Sequence, residues 1–382
     1  MNTQKPVILI GPTCDDPTES VSVVNLALVD GLQDHFTFVC SASNRRYGLT
    51  RQCQLNFWNL YYLVKHLVIW LKNLLRHRPD VAHYAIISSW AMKKGVLMLG
   101  LARIFGARTV GHLHDGNFVE HWNQLSPMRR RFAFWQLSKL DGFIVLSERW
   151  RDLIEEQVGI APEKLYVVNN SIAAGFEDAA LAMPVARPGN RLLSLGTMGR
   201  DKGVLELVAA CAAVAKETQD FSLDLVGPER EPGIRDLVNR QLVDLDLTAN
   251  VRLQGGVHGP AKLDLFRESS IFVLPSYFEN FPLVILEAAA AGQAIITTRV
   301  GAVPEFFEDG VSAIFVDVGN VAQLAEAITR LLQQPEELRR LGSAARDVFK
   351  YRLARSRIKD SLEHCYRQLL GAESLQACAD DS

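Results

Sequence analysis

The stretch from Ile271 to Thr297 constrains the fold of this 382-residue chain more than any other. It opens with a short apolar run, IFVLP, passes through the polar turn SYFEN, and continues after Pro282 into an Ala- and Leu-rich segment. Gly292 follows that segment, and the β-branched run AIITT comes next. A buried strand, a helix that begins at proline and ends at glycine, and a second strand form one βαβ unit. Such a unit predicts a parallel sheet.

The same alternation extends along the chain in two series, which predicts doubly wound α/β domains. Strands of the first series are predicted at Pro6–Ile10, Phe36–Cys40, Val81–Tyr84, Thr109–His112, Gly142–Leu146 and Leu165–Val168. Strands of the second are predicted at Leu192–Leu195, Ser222–Val226, Val251–Gln254, Ile271–Leu274, Ala294–Thr297 and Ala313–Val316. Between the series, Ala180–Arg191 contains two prolines, a glycine and no periodicity, and this predicts a linker.

Composition and missing motifs exclude several classes of protein. A net charge of −2 argues against a nucleic-acid binder. The six cysteines are scattered without a CxxC pair, which predicts reduced thiols in a cytoplasmic protein and no metal site. No apolar run is long enough to span a membrane, and the one near the N-terminus predicts a first core strand rather than a signal peptide. Gly11 and a Ser/Thr-rich turn stand where a dehydrogenase would carry G-x-G-x-x-G.

Two carboxylates and one lysine lie in or just before predicted helices. Pro282 leaves Glu279 in the loop before a helix and puts Glu287 about one and a half turns inside it. The amides after Glu279 then form a helix N-terminus, which suits a phosphate. Lys202 precedes Gly203 at the start of another predicted helix, where a cation opposes the helix dipole. This placement favours an anion shared between Lys202 and the helix amides.

The spacing of Glu279 and Glu287 resembles the E-x7-E signature of retaining GT-B glycosyltransferases, and most of all their sugar-nucleotide-dependent family 4. Pro-Ser precedes the pair, and G-x-x-x-E follows it from Gly301 to Glu305. The resemblance implies an α/β GT-B fold, with two Rossmann-like doubly wound parallel-sheet domains facing across a cleft. It implies an acceptor-binding domain at 1–183, a nucleotide-sugar-binding domain at 190–345 and a helix at 346–370 that crosses back to the first domain.

The resemblance also implies roles for residues of the signature. Glu279 would hold hydroxyls of the donor sugar, supported by the amides of Asn280 and Phe281, and Asn280 stands where glycine is usual. Glu287 would accept hydrogen bonds from the ribose hydroxyls, a task that suits an acceptor-only carboxylate. Glu305 is expected as a helix N-terminal acid or a supporting group.

The family residues that bind the donor diphosphate correspond to the loop after the second-series strand Leu192–Leu195. Lys202 matches the family's lysine, whereas Thr197 stands in place of its arginine, and Arg200 is expected to supply the second charge. Gly227 is predicted either in the nucleotide pocket or as a plain tight turn. Leu283, at the start of the helix after Glu279, completes the predicted donor contacts.

The first series carries a weaker set of candidates. The stretch TVGHLHDGNF resembles the H-x-H-G-G loop of polysaccharide-building members, and His114 matches the histidine that contacts the donor sugar. The alternative is a pair of loop histidines without a role, and no third ligand for a metal is visible. Ser147 and Asn170 follow two later strands; ligand contacts and capping or turn roles are both open for them.

Residues 56–78 combine aromatic and basic side chains in an amphipathic helix pattern. One interpretation is an interfacial helix on an anionic membrane where a lipid-linked acceptor lies. The other is a core-facing helix with an ordinary basic face. The basic segment Met128–Arg131 permits a membrane contact or a solvated helix start.

Taken with the resemblance, these residues predict a retaining glycosyltransferase with Glu279, His114 and Lys202 at its catalytic centre. It would move a hexose-type sugar from a UDP- or GDP-linked donor to a glycan or lipid-linked glycan. No metal or other cofactor is expected, because cations and helix N-termini can stabilise the leaving diphosphate. Its expected location is the cytoplasm or the inner face of the membrane. A sugar-nucleotide epimerase or hydrolase, and a catalytically silent nucleotide-sugar-binding scaffold, are the alternatives.

Overall fold

The computed structural model describes residues 5–13, 20–42, 57–87, 90–185 and 189–371. These residues form two compact units. The first unit runs to Ala173 and resumes at Arg355, and the second runs from Ala174 to Ala354. Each unit is built on one six-stranded parallel sheet.

The first sheet has the strand order β2-β1-β3-β4-β5-β6. Helices cover both of its faces, so that β3 is buried at every residue, as is usual in parallel sheets. The strands are β1 (Val7–Thr13), β2 (Thr37–Ala42), β3 (Val81–Ile86), β4 (Arg108–Leu113), β5 (Gly142–Val145) and β6 (Leu165–Val167). The helices are α1 (Ser20–Leu32), α2 (Phe57–His77), α3 (Trp90–Ile104), α4 (Phe118–Gln124), α5 (Pro127–Leu137) and α6 (Glu148–Leu153).

The second sheet has the strand order β12-β11-β10-β7-β8-β9. Its strands are β7 (Arg191–Leu195), β8 (Ser222–Val226), β9 (Val251–Gln254), β10 (Ile271–Leu274), β11 (Ala294–Thr298) and β12 (Ile314–Val316). Its helices are α7 (Ala174–Leu181), α8 (Val204–Glu217), α9 (Ile234–Asp244), α10 (Gly259–Glu268), α11 (Leu283–Ala290), α12 (Val303–Phe306), α13 (Val321–Gln333) and α14 (Pro335–Val348). A last helix, α15 (Arg355–Leu369), packs against α1 in the first unit.

The strand order reverses once in each sheet. In the first, β1 lies between β2 and β3; in the second, β7 lies between β8 and β10. Ligands of open α/β sheets bind outside the carboxyl ends of the strands, at the point where the order reverses. The loops after β7 and β10 therefore occupy the favoured ligand position of the second sheet.

All twelve predicted strands are present, with ends that shift by up to three residues. The predicted linker was wrong at its start, because Ala180 and Leu181 belong to α7. This helix buries Ala180 completely and packs Phe176 edge-on against Phe266 of α10. The division between the units precedes α7, ahead of the predicted boundary at 183.

The predicted tail helix is interrupted. A π-helical turn at Phe349–Leu353 separates α14 from α15, and Ala354 is extended. Only the part from Arg355 onwards belongs to the first unit. The Ser/Thr-rich turn after Gly11 lies largely outside the described residues.

Candidate active site

Lys202 and Glu279 meet where the strand order of the second sheet reverses. Lys202 follows β7 and Glu279 follows β10, and these two strands pair in parallel. The Lys202 Nζ atom lies 2.6 Å from Glu279 Oε1, and both side chains are about 15% exposed. Ser276 donates its hydroxyl to the same carboxylate oxygen at 3.0 Å. The pair is thus sheltered but still reachable from solvent.

Glycine at position 203 allows the two loops to touch. Gly203 has a φ of +66°, and a Cβ there would collide with the carbonyl oxygen of Pro275 in the loop after β10. Gly203 is also the N-cap of α8, so that helix begins directly beside Lys202. The backbone N–H of Tyr277 donates to the Asp201 carbonyl at 2.8 Å, and its hydroxyl donates to Glu206 at 2.8 Å. These contacts fix the loop that carries Glu279.

A third loop, after β11, braces the same segment from its other side. Gly301 has a φ of +53°, and a Cβ there would strike the carbonyl oxygen of Asn280. The N–H of Ala302 donates to that carbonyl at 2.8 Å, and Asn280 is buried. Phe281 stacks on Phe306 of α12 with 5.0 Å between ring centroids. The segment before α11 is thus held by backbone and aromatic contacts.

The remaining residues of the signature lie at or near helix starts. Leu283 is the first residue of α11, after Pro282 as N-cap. Glu305 lies in the first turn of the short helix α12 and is partly exposed.

Glu287 is buried in α11 and paired with a lysine from α10. The Lys262 Nζ atom lies 2.5 Å from Glu287 Oε1. Burial raises the pKa of Glu287 above its ordinary value, and the Lys262 charge opposes that rise. The second oxygen, Oε2, is enclosed and has no hydrogen-bond partner among the described residues. A buried acceptor without a partner is the state expected of a group that receives a hydrogen bond from a ligand.

Arg200 points to a different partner from Lys202. Its Nε atom lies 2.9 Å from Glu231 Oε1, and the pair is largely exposed. Thr197 is partly exposed in the loop between β7 and Arg200.

A Cβ at Gly227 would collide with the carbonyl oxygen of Gly196, so glycine is required there for two strand ends to pack. The structure thus explains the glycine by close backbone packing, and the two interpretations of Gly227, nucleotide pocket or tight turn, both stay predictions.

His114 belongs to a cluster of histidines in the first unit. The ring nitrogens His83 Nε2 and His112 Nδ1 lie 3.1 Å apart, and Tyr366 of α15 is 2.6 Å from His83 Nδ1. The rings of His112 and His114 have centroids 4.0 Å apart. Asp115, after His114, accepts a hydrogen bond from the N–H of Asn117 and so shapes the loop.

Burial keeps these three histidines neutral. It lowers the pKa of His83 to about 3 and that of His114 to about 4, and it also lowers the pKa of His112. The Nε2 atoms of His112 and His114 are enclosed and have no hydrogen-bond partner among the described residues. A neutral ring with a free nitrogen can donate to, or accept from, a hydroxyl group.

Ser147 and Asn170 lie at carboxyl ends of the same sheet. Ser147 is the N-cap of α6, and its Oγ atom accepts a hydrogen bond from the N–H of Trp150 at 3.3 Å. The capping interpretation of Ser147 is thus observed directly. Asn170 is buried in the loop after β6.

Family models match both halves of the chain. Residues 184–348 match the family described as Glycosyl transferases group 1, and residues 21–174 match Glycosyltransferase Family 4. Together the two ranges take in nearly every strand of both sheets. The chain belongs to the group 1, family 4 glycosyltransferases.

Two similar proteins illustrate the relationship. A glycogen synthase of Mycobacterium tuberculosis (strain CDC 1551 / Oshkosh) is 28% identical over 273 residues, which cover 70% of this chain and 64% of that protein. The chain thus aligns with somewhat less than two thirds of that relative's length. A D-inositol 3-phosphate glycosyltransferase of Arthrobacter sp. is 26% identical over 293 residues, covering 71% of this chain and 68% of that protein.

Solved structures of similar shape show that the fold is GT-B. Sucrose-phosphate synthase from Thermosynechococcus elongatus superposes with a TM-score of 0.75 at 20% identity, covering 97% of this chain and 100% of that one. Anabaena HepE, solved in complex with UDP-glucose, has a TM-score of 0.67 at 18% identity, covering 97% and 99%. In this glycosyltransferase, none of the described helices is long and apolar enough to cross a bilayer.

Sequence reasoning missed two partners of the site in this glycosyltransferase. Lys262 pairs with Glu287, and Glu231 pairs with Arg200. Neither stands in a motif, and both are brought close only by the packing of elements that are remote in sequence. Gly203 and Gly301 are easier to find, because each accompanies a recognised residue within four positions.

Proposed function

We propose that this chain is a retaining glycosyltransferase that moves a hexose-type sugar from a nucleotide-sugar donor to a glycan or lipid-linked glycan. The observation that carries the proposal is the Lys202–Glu279 pair where the strand order of the second sheet reverses. One cation and one carboxylate match the two halves of a sugar diphosphate, since Lys202 suits the phosphates and Glu279 suits the sugar hydroxyls.

Two helix N-termini complete the phosphate side. The loop of Lys202 leads into α8, and the loop of Glu279 leads into α11. The first amides of a helix have no intrahelical acceptor and carry partial positive charge. Lys202 and these amides would stabilise the departing diphosphate by charge that is already in place, without a metal. Arg200 would join them after releasing Glu231, an exposed partner that holds it weakly.

Glu279 and Glu287 would contact different parts of the donor. Glu279 Oε1 receives Lys202 and Ser276, which leaves its other oxygen to accept from sugar hydroxyls. The enclosed Oε2 of Glu287 would accept from the ribose. Neutral His114 would contribute a hydrogen bond to a sugar hydroxyl without adding charge.

The donor proposed for the first trial is a UDP-sugar, with GDP-sugars as the second choice. HepE was solved with UDP-glucose, and it shares the fold over 97% of this chain. We place the protein in the cytoplasm, with a lipid-linked acceptor approached through α2 at the inner face of the membrane. The exposed Tyr61 and Lys65 of that helix are of the kind found at membrane surfaces.

The experiment is a product analysis with UDP-glucose and GDP-mannose, offered with glucan oligosaccharides or with extracted bacterial polar lipids. We expect a new glycoside whose anomeric proton, observed by NMR, keeps the α configuration of the donor. Glu279→Gln should abolish it, whereas Lys216→Ala, an exposed lysine of α8, should not.

Other products would separate the alternatives. Free sugar formed at the same rate with and without acceptor would indicate a hydrolase, and a changed sugar stereocentre in the nucleotide would indicate an epimerase. Nucleotide binding without any turnover would indicate a silent scaffold. Each of these three results contradicts the transferase proposal.

A further inference from the structure

Helices α2, α3 and α5 lie in one layer on one face of the first sheet. Trp70 of α2, Met98 of α3 and Leu137 of α5 belong to a single apolar core with Tyr84 of β3. Trp70 donates its indole N–H to the Met98 carbonyl at 2.9 Å. Because the inner sides of all three helices pack on the same sheet face, their outer sides form one surface.

This surface has an unusual charge pattern. The three helices together contain nine lysine and arginine residues and no aspartate or glutamate. The whole chain, by contrast, has slightly more acidic than basic residues. The exposed cations on the three helices include Lys65, Lys72, Lys93, Arg129 and Arg131.

The same surface exposes many large apolar side chains. On α5, Met128 is 85% exposed and Trp135 53%, and both lie opposite the buried Ala133 and Leu137. Phe132 is also exposed and stacks on Trp135 with 6.0 Å between ring centroids. Apolar side chains held in solvent on a rigid helix mark an interaction surface.

The apolar exposure continues on the other two helices. Ile104, at the end of α3, is 80% exposed, and Arg103 beside it donates to the carbonyl of Lys139 just after α5. On α2, four exposed apolar residues fall within about 80° of one another at 100° per residue. They are Leu60, Val64, Val68 and Leu75. The pattern is therefore shared by all three helices.

We propose that the outer surface of α2, α3 and α5 binds an anionic lipid bilayer. Met128, Phe132 and Trp135 would enter the headgroup region, and the surrounding lysines and arginines would contact anionic headgroups. The inference rests on the proposed function for its purpose, which is to bring the enzyme to a lipid-linked acceptor. Its physical basis is independent of the donor site.

Charge and apolarity together select the bilayer among other partners. A second copy docking through this surface would set its exposed cations against like charges, which opposes association. Nucleic acid would match the cations, but it gains little from exposed aliphatic residues such as Met128, Ile104 and Val68. An anionic bilayer satisfies both features in one partner.

The test is co-sedimentation of the full chain with vesicles of phosphatidylcholine alone, or with phosphatidylglycerol added. We expect binding to the anionic vesicles only, with a partition coefficient that falls as salt screens the cations. The double variant Phe132→Ser/Trp135→Ser and the double variant Arg129→Glu/Arg131→Glu should each lower it by about tenfold or more. A matched control, Arg240→Glu/Val243→Ser on α9, changes one exposed cation and one exposed apolar residue and should bind like the wild type.

Several outcomes would overturn the proposal. These are no binding to either vesicle, an equal loss of vesicle binding in the control, dimers that only the α5 variants abolish, or tighter binding to duplex DNA than to anionic vesicles.

Binding of UDP, measured on the same samples, separates the two proposals. A chain that binds UDP but not vesicles loses only the membrane surface, and a chain that binds vesicles but not UDP loses only the donor site.

Discussion

The two sheets of this chain have the same size and one reversal each, but the described residues at the two reversal points differ in chemistry. In the second sheet, the pair Lys202–Glu279 occupies the reversal. In the first, Gly11 near the end of β1 lies against the rings of Trp70 and Tyr84. Among the described residues, the reversal therefore carries a charged pair in the second unit and aromatic rings in the first.

The functional candidates of the first unit are neutral instead of charged. His83, His112 and His114 are kept neutral by burial, whereas Lys202 and Glu279 remain within reach of solvent. The difference teaches that the same architecture can separate two tasks. In the proposed function, charge in the second unit would stabilise a leaving diphosphate, and neutral hydrogen-bonding groups in the first would suit sugar hydroxyls.

The largest expected effect comes from breaking the charged pair. Lys202→Ala should lower the turnover of donor by about 10²- to 10³-fold, because preorganised charge on a leaving group is lost. Lys216→Ala on the same helix should leave the rate unchanged. Steady-state release of nucleotide measures both, and equal rates for the two variants would remove Lys202 from the mechanism.

A substitution at the contact between the loops after β7 and β10 should have the next largest effect. Gly203→Ala forces a Cβ into the Pro275 carbonyl at a left-handed φ, and we expect about 3 kcal/mol of lost stability. Gly233→Ala is the matched control, since Gly233 is the N-cap of α9 with a φ of +80° and open space around it. That variant should lose only about 1 kcal/mol. Urea unfolding compares them, and equal losses would show that the loops can separate without cost.

The neutral histidines predict a pH effect on the first unit. Below pH 6.5 the unfolded chain protonates His83, while the folded chain resists until about pH 3. Stability present above pH 6.5 is therefore lost on acidification, by about 2 kcal/mol at pH 5 for this residue. In His83→Gln the fall in unfolding free energy from pH 7 to pH 5 should be smaller by that amount.

A control of the same chemistry is His77→Gln, which changes an exposed residue of α2. An equal loss of pH slope in this variant would show that the effect does not come from the buried ring of His83. If His83→Gln also keeps the full slope, the buried cluster does not hold His83 neutral.

The smallest effect is expected at Arg200. Its exposed pair with Glu231 should contribute less than about 1 kcal/mol to stability, so Arg200→Ala should unfold like the wild type. If the guanidinium moves to the diphosphate, the variant should bind UDP several-fold more weakly. Unchanged UDP affinity would leave Arg200 as a surface residue and Lys202 as the cation that matters.

The sequence predicted the elements well and their partners poorly. Strands such as Ile271–Leu274 are short buried runs, which periodicity and flanking turns reveal directly. The meeting of Lys202 with Glu279, 77 positions apart, depends on β7 and β10 being neighbours, and strand order is not written in either segment. The family resemblance assigned both residues to the donor, but it did not predict their ion pair.

Residues outside any motif could not be predicted from the sequence for the same reason. Lys262 meets Glu287 because α10 and α11 both pack against α7, and nothing in its own segment distinguishes it from a surface lysine. Likewise, Ala180 and Leu181 at the end of α7 were placed in a linker because the residues after them include two prolines, although Ala180 is fully buried in the second unit. Packing decides both cases, and local pattern does not.

The most direct test of the account is calorimetric titration of UDP, without metal, into the wild type, Lys202→Ala and Lys216→Ala. We predict that the wild type and Lys216→Ala bind UDP with the same affinity and that Lys202→Ala binds it at least about tenfold more weakly. Equal affinity in all three proteins, or no binding in any, would contradict the claim that the reversal point of the second sheet holds the donor diphosphate.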